Sequence, residues 1–118
     1  MQEGQNWEAI MYASAKKVDN LIATIDLNGK QIDGSTDEVL PMGSIKAKFE
    51  AFGWIVLEVE SGNDIDSIKN GLAKAKSLTG NGKPVCILLK TMMGTLLSLH
   101  SEIAVLSITP RPCVSTSI

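Results

Sequence analysis

The stretch EGQNWEAIMYASAKKVDNLIATIDLNGKQIDG, from Glu3 to Gly34, joins a helical pattern to a short apolar run and a polar turn. Apolar and small side chains recur in its first half at steps of three and four residues, at Trp7, Ile10, Met11, Ser14 and Val18. That spacing predicts a helix over residues 6–18. Asn6 is the expected N-cap of this helix, and the charge of Glu8 in the first turn suits the helix dipole.

The apolar run that follows is LIATID, residues 21–26, which is too short for a helix and is typical of a buried parallel strand. Asn28 and Gly29 come directly after it. An amide oxygen is a hard ligand of the kind that Mg²⁺ prefers, often together with substrate phosphates. The glycine lets the chain turn so that a backbone carbonyl points at the same ion. These residue types are also ordinary turn formers, so the sequence leaves open a turn without a ligand.

Helical and strand patterns alternate through residue 90. The expected elements are helices over residues 6–18, 44–52 and 64–78 and strands over residues 21–26, 54–59 and 84–90. Asp64 is the expected cap of the third helix. This order predicts a three-layer α/β/α domain in which helices cover a parallel sheet. Right-handed crossovers place the C-terminal ends of all three strands at one edge, where ligands bind in open α/β sheets.

The 118 residues, of which 44% are hydrophobic and 20% charged, fit one folded domain. A net charge of −2 gives no general reason to bind nucleic acid or an anionic membrane. The sequence has no apolar run of about 18 residues and no signal-peptide pattern at its start. Cys86 and Cys113 lack metal-binding spacing, and Cys86 is expected to be a small buried residue. We therefore expect a soluble, cytoplasmic protein.

Several motifs taken together resemble one family. QEGQNWEA, DLNGKQIDGST, KAKFEAFGWIVLEVESGNDIDSI, GLAKAKS and GKPVCILLKTMMG occur in the order seen in transketolases, over residues 1–94. The likeness is in particular to the N-terminal component of two-chain bacterial transketolases, which binds thiamine diphosphate. The first helix and the QIDG loop favour transketolase over deoxyxylulose-phosphate synthase or the α chain of pyruvate dehydrogenase. The resemblance implies a partial cofactor-binding domain over residues 1–94 and a divergent tail over residues 95–118.

The resemblance also implies a cofactor site at the polar turn. In the family, Mg²⁺ or Ca²⁺ grips the cofactor's diphosphate and is bound by the Asp of a Gly-Asp-Gly triplet, an Asn side chain and a backbone carbonyl two residues later. Asn28 matches the Asn, Lys30 would supply the carbonyl, and Ile32 matches an apolar residue that packs near the cofactor. Glu3 and Glu8 match interface glutamates that couple two active sites. The alternatives are a helix-terminal charge for Glu8 and a disordered terminus for Glu3.

The chain departs from the family at both ends. The Gly-Asp-Gly triplet would lie just before Met1, so a truncated or internally started gene is expected. The family's earlier substrate-binding histidines are not in this sequence. After Gly94 the family continues to a Trp-His-Gly motif, whereas this chain ends in TLLSLHSEIAVLSITPRPCVSTSI, which suggests a frameshift or a degenerated gene. One strand, residues 103–108, is expected there, and His100 is expected to be an ordinary surface or helix-end residue.

Two functions remain open on the sequence. The chain is either part of a transketolase that moves a two-carbon ketol unit between sugar phosphates, inactive without the C-terminal component, or a non-catalytic α/β interaction module. The sequence has neither GxGxxG nor GxxxxGK[ST], which disfavours a nucleotide-binding domain. An absent upstream strand would leave an unpaired apolar sheet edge, so a homo-oligomer is expected.

Overall fold

The structure is a computed structural model that describes residues 1–93. Its elements are α1 (Gly4–Ala15), β1 (Ile22–Leu27), β2 (Lys30–Gln31), β3 (Gly34–Ser35), α2 (Thr36–Val39), α3 (Ile45–Ala51), β4 (Ile55–Val59), α4 (Ile65–Ser77) and β5 (Val85–Lys90). All three predicted helices and all three predicted strands are present. The β2–β3 hairpin and α2 were not predicted. The strand expected at residues 103–108 and His100 lie outside the described residues.

The three long strands form one parallel sheet in the order β1-β5-β4. Val85 of β5 pairs with Ile22 of β1 on one side and with Ile55 of β4 on the other. The predicted parallel sheet is therefore confirmed. Within residues 1–93, β1 and β4 each have one side without a strand partner. The expected oligomer stays a prediction.

Helices cover both faces of this sheet because β5 alternates its side chains between two cores. Cys86 and Leu88 belong to a first core with side chains of α1 and α3, and Val85 and Ile87 belong to a second core with Ala75 of α4. The first core also contains Ile10, Ala13, Ile45, Phe49 and Trp54. This arrangement confirms the three-layer α/β/α architecture.

Aromatic side chains attach α1 and α3 to the sheet. Phe49 is fully buried, with its ring centroid 5.3 Å from that of Trp54 in an edge-to-face arrangement and 6.0 Å from that of Trp7. The indole Nε1 of Trp54 donates a 2.9 Å hydrogen bond to the carbonyl of Ile10, so this buried polar group is satisfied. These contacts fix the position of α1, and with it the residues that precede it.

Two expectations about α1 were wrong. The helix begins at Gly4 with Glu3 at the N-cap, and the Asn6 amide already donates to the Glu3 carbonyl, so Asn6 is inside the helix. Glu8 therefore lies beyond the first turn, which contains no acidic residue. Met11 is exposed, whereas Ala13 is buried.

The predicted cap of α4 is confirmed, because a carboxylate oxygen of Asp64 accepts from the Ser67 amide at 2.8 Å.

Helix α1 ends three residues earlier than expected because the chain turns into the left-handed region. Lys17 has a φ of 52°, its amide donates to the Ser14 carbonyl, and the Val18 amide donates to the Ala13 carbonyl. This is the Schellman arrangement, in which glycine is usual at the left-handed position.

No helix among the described residues is long and apolar enough to cross a membrane.

We expect Lys17→Gly to raise the free energy of unfolding by about 1 kcal/mol, because a residue with a Cβ is strained at this φ. The matched control is Lys16→Gly, since Lys16 has a φ of −88°. That change should lower stability by about 0.5–1 kcal/mol through lost backbone entropy. Urea unfolding measures both, and equal effects of the two substitutions would contradict the Schellman assignment.

Burial raises the pKa of the Cys86 thiol to about 12. The thiolate is the reactive form, so Cys86 should resist a thiol reagent at pH 8 in the folded chain. The experiment uses a Cys113→Ser chain, which leaves Cys86 as its single thiol. Labelling should reach the ordinary rate in denaturant. Equally fast labelling without denaturant would show that β5 is not buried in solution.

Candidate functional site

A cavity of about 520 Å³ opens where the three parallel strands end. Its walls include Asp26 from the end of β1, Glu58 from β4 and Lys90 from β5. Asn28 and Lys30, which follow β1, line the same cavity. Both residues therefore lie beside a concave surface at the C-terminal end of the first strand.

The side chain of Asn28 is held by two hydrogen bonds. Its Nδ2 donates to Oδ2 of Asp26 at 3.0 Å, and its Oδ1 accepts from the backbone amide of Lys30 at 2.9 Å. Gly29 lies between them with a φ of 67°, which favours glycine. Asn28 and Gly29 therefore do form a turn, as the alternative without a ligand predicts. An amide oxygen has two acceptor sites, so the turn leaves one for a cation.

Asp26, the last residue of the predicted strand, also lines the cavity, although it was not among the predicted site residues. Its Oδ2 accepts from Asn28, and its Oδ1 accepts from the hydroxyl of Thr91, directly after β5. The carboxylate thus joins the ends of two neighbouring strands and orients the amide of Asn28. The Asp-x-Asn spacing at a strand end was the available signal, but only the sheet order brings Thr91 close.

The β2–β3 hairpin and α2 form another wall of the cavity. The amide of Thr36 donates to the Gly29 carbonyl at 3.1 Å, which ties α2 to the turn. A capping box starts α2, because Ser35 Oγ accepts from the Glu38 amide while Oε2 of Glu38 accepts from the amide and hydroxyl of Ser35. These hydrogen bonds lower the pKa of Glu38. Ser-x-x-Glu is a sequence signal for such a helix start, and it could have predicted α2.

Lysine side chains give the cavity a positive contribution. Lys30, Lys46 and Lys90 all line it. Lys46 Nζ lies 2.6 Å from Oε2 of Glu58, and this hydrogen bond raises the pKa of Lys46 and lowers that of Glu58. Lys90 is paired with Glu60 at 2.9 Å, and that contact raises the pKa of Lys90. The ammonium groups of Lys46 and Lys90 therefore stay charged. Lys30 makes no ion pair within residues 1–93.

The start of the chain closes one wall of the cavity. Met1 and Gln2 both line it. The side-chain Nε2 of Gln2 donates to the carbonyl of Leu40 at 2.8 Å and to that of Thr36 at 3.5 Å. The backbone at Met1 is therefore held beside the turn that carries Asn28.

Gln31 has a buried donor that finds no acceptor. Its Nε2 makes no hydrogen bond to any part of the chain that the structure describes, and its side chain lines the cavity. Leaving a buried donor unsatisfied costs about 1–3 kcal/mol, and such groups are rare in folded proteins. Gln31 was not among the predicted site residues, because a glutamine in a hairpin carries no functional signal by residue type alone.

The other predicted residues lie away from the cavity lining. Ile32 is fully exposed at the tip of the hairpin. Glu3 is exposed at the N-cap of α1, with its Oε2 accepting from Nε2 of Gln5, and Glu8 is exposed on the same helix. A cofactor contact of Ile32 and an interface role of the two glutamates remain predictions. Disorder of Glu3, the alternative to an interface role, stays a prediction as well.

The types of residue that line the cavity suit a diphosphate bound through Mg²⁺. The Asn28 amide and the Lys30 carbonyl are oxygen ligands of the type Mg²⁺ takes, and the lysines with the Gln31 amide suit phosphoryl oxygens. Residues 1–93 contain no group of three or more His, Cys, Asp or Glu side chains arranged to hold a metal ion. A metal here would thus be shared with its anionic ligand.

The family profile described as transketolase, thiamine diphosphate binding domain, matches residues 1–103. The chain belongs to this family. A 6-deoxy-6-sulfo-D-fructose transketolase subunit from Clostridium sp. (strain MSTE9) is 44% identical over 92 residues, which are 78% of this chain and 32% of the relative. An apulose-4-phosphate transketolase subunit from Actinobacillus succinogenes is 41% identical over 96 residues, 81% of this chain and 33% of the relative.

Solved transketolases share the fold of the described domain. A Pichia stipitis transketolase in complex with fructose 6-phosphate is 34% identical, with a TM-score of 0.72 over 79% of this chain and 14% of that one. The Campylobacter jejuni transketolase is 36% identical, with a TM-score of 0.67 over 76% of this chain and 13% of that one. The predicted transketolase resemblance is confirmed. This chain spans about a third of the length of these two relatives, both of which are named as transketolase subunits.

We expect Asp26→Ala to lower the free energy of unfolding by about 1 kcal/mol, because the Asn28 amide and the Thr91 hydroxyl each lose an exposed acceptor. The matched control is Asp33→Ala, since Asp33 is exposed in the hairpin and its substitution removes the same charge. Urea unfolding of both chains gives the comparison. If the two substitutions have the same effect, Asp26 does not hold the strand ends together.

Proposed function

We propose that this chain binds thiamine diphosphate through Mg²⁺ and forms part of a transketolase that moves a two-carbon ketol unit between sugar phosphates. The observation that carries the proposal is the convergence of Asn28 and Lys30 on a lysine-lined cavity, in a chain of the cofactor-binding family. Ligands bind at this edge of open parallel sheets.

Asn28 Oδ1 and the Lys30 carbonyl would bind the metal, with Asp26 orienting the amide of Asn28. Two neutral ligands are few for Mg²⁺, which takes about six oxygen ligands in near-octahedral geometry. Ca²⁺ would be bound by the same two oxygen ligands. A carboxylate from the Gly-Asp-Gly triplet, which in the family comes shortly before the residues at Met1 and Gln2, would enter beside Asn28, because the first residues of this chain line the same cavity.

When bound, the cofactor supplies a thiazolium carbon nucleophile, and the protein contributes binding and electrostatics. The residues of this chain would hold the diphosphate. Lys30, which lines the cavity and makes no ion pair within residues 1–93, would balance part of its charge, and the turn at Gly29 would present backbone and amide oxygens to the metal. The relatives that are named as subunits support a C-terminal component as partner. We propose sugar phosphates as substrates, the cytoplasm as the location, and no activity for the chain alone.

A non-catalytic α/β interaction module is the second candidate. The observation in its favour is the lack of a carboxylate among the two metal ligands, together with the absence of an acidic or histidine metal cluster within residues 1–93. The two candidates differ in one measurable property, which is affinity for the magnesium-bound cofactor.

Calorimetric titration of thiamine diphosphate, in the presence of Mg²⁺, into the protein tests the proposal. The chain as given should bind weakly or not at all. A chain extended upstream through the Gly-Asp-Gly triplet and its strand should bind, and binding should stabilise it by about 2.7 kcal/mol at a hundredfold excess over Kd. In that extended chain, Asn28→Ala should weaken binding at least about tenfold, or 1.4 kcal/mol.

Asn20→Ala in the extended chain is the matched control, because Asn20 is exposed and does not line the cavity. Equal affinity of the original and extended chains would refute the need for the triplet. An Asn28→Ala chain that binds like the Asn20→Ala chain would leave Asn28 as a turn residue only. No binding by the extended chain would favour the non-catalytic module.

A further inference from the structure

The unsatisfied amide of Gln31 points to a role in ligand binding. Its Nε2 is buried and has no acceptor among residues 1–93, although the side chain lines the same cavity as Asn28 and Lys30. Proteins seldom keep a buried donor unpaired unless another molecule supplies the acceptor. An apolar side chain of similar size would avoid this cost, so the glutamine indicates a bound acceptor.

The backbone around Gln31 is fixed by the hairpin. Gln31 pairs with Gly34, and Lys30 pairs with Ser35. The turn before it is closed by the hydrogen bond from the Thr36 amide to the Gly29 carbonyl. The Gln31 amide is therefore presented from the same rigid segment as the two metal ligands.

The surroundings indicate the chemistry of the acceptor. A side-chain Nε2 donates only, and Lys30, Lys46 and Lys90 line the same cavity as Gln31. Lys46 and Lys90 are already paired with Glu58 and Glu60, so among these three lysines Lys30 alone has no ion pair within residues 1–93. An anionic ligand with several acceptor oxygens satisfies the Gln31 donor and the Lys30 charge together. Phosphoryl oxygens meet this description, and a neutral ring does not.

We propose that Gln31 Nε2 donates a hydrogen bond to a phosphoryl oxygen of the diphosphate held in this cavity. The proposal rests on the proposed function, which places a magnesium-bound diphosphate there. Gln31 then acts on the diphosphate group rather than on the metal or the reacting carbon. Its contribution should be the same for any ligand that carries a diphosphate.

The experiment titrates the extended chain, in the presence of Mg²⁺, with thiamine diphosphate, inorganic pyrophosphate and thiamine. Gln31→Met removes the donor at similar size, and Gln31→Glu replaces it with a carboxylate. Gln5→Met is the matched control, because Gln5 is exposed on α1 and does not line the cavity. Thermal unfolding without ligand is measured for every chain.

Gln31→Met should lower the affinity for thiamine diphosphate and for pyrophosphate by about the same factor, near tenfold. Gln31→Glu should lower both affinities further, because its carboxylate repels the anionic ligand. Gln5→Met should leave both affinities unchanged. Without ligand, Gln31→Met should melt at the same or a higher temperature than the parent, because an unsatisfied donor is gone.

Three results would overturn the inference: unchanged affinity for both diphosphates in Gln31→Met, a lower melting temperature of that variant without ligand, or no binding of pyrophosphate by the extended chain. The middle result would mean that an acceptor in the protein pairs with Gln31. Failure of the proposed function is distinct from these. It would appear as an extended chain that binds pyrophosphate in a Gln31-dependent way but shows no added affinity for thiamine diphosphate.

Discussion

The architecture depends on the burial of β5 on both faces and both sides. This strand pairs in parallel with β1 and β4, and its residues from Val85 to Leu88 are buried. A parallel strand without a polar face requires apolar layers above and below it, so α1 and α3 must pack on one face and α4 on the other. The two-sided pairing also aligns the C-terminal ends of three strands. The cavity exists because those ends meet.

Close packing at these ends leaves little freedom in the connecting loops. Gly62 follows β4, and its amide donates to the Lys90 carbonyl at 2.8 Å. A Cβ at this position would lie 2.6 Å from that carbonyl oxygen, closer than a side chain tolerates. The loop after β4 is therefore held against the end of β5. Asp26 makes the corresponding connection on the other side of β5, through Thr91.

The cavity has a well-formed frame, but residues 1–93 contain no cluster of three or more His, Cys, Asp or Glu side chains that could hold a metal ion. Asn28 is oriented by Asp26, which is typical of residues that hold ligands through a supported side chain. The carboxylate of Asp26 itself is engaged by Asn28 and Thr91. The three lysines that line the cavity are matched by three carboxylates, those of Asp26, Asp37 and Glu58. This balance suits an anion that brings a cation with it, and it explains why Gln31 is more informative about the ligand than any acidic residue.

The sequence by itself determined the order of helices and strands, the parallel α/β class, the family and the position of Asn28 after β1. These follow from local periodicity, from run length and from motifs that lie close together in the chain. Local pattern did not place the start of α1, because Asn6 is a good cap by type but the chain is already helical at Gly4. Only the tertiary structure brought Thr91 to Asp26 and Gln2 to α2. Only it left the side-chain Nε2 of Gln31 buried with no acceptor among residues 1–93. Those contacts join residues far apart in the chain, so they depend on the order of strands in the sheet, which no local sequence pattern specifies.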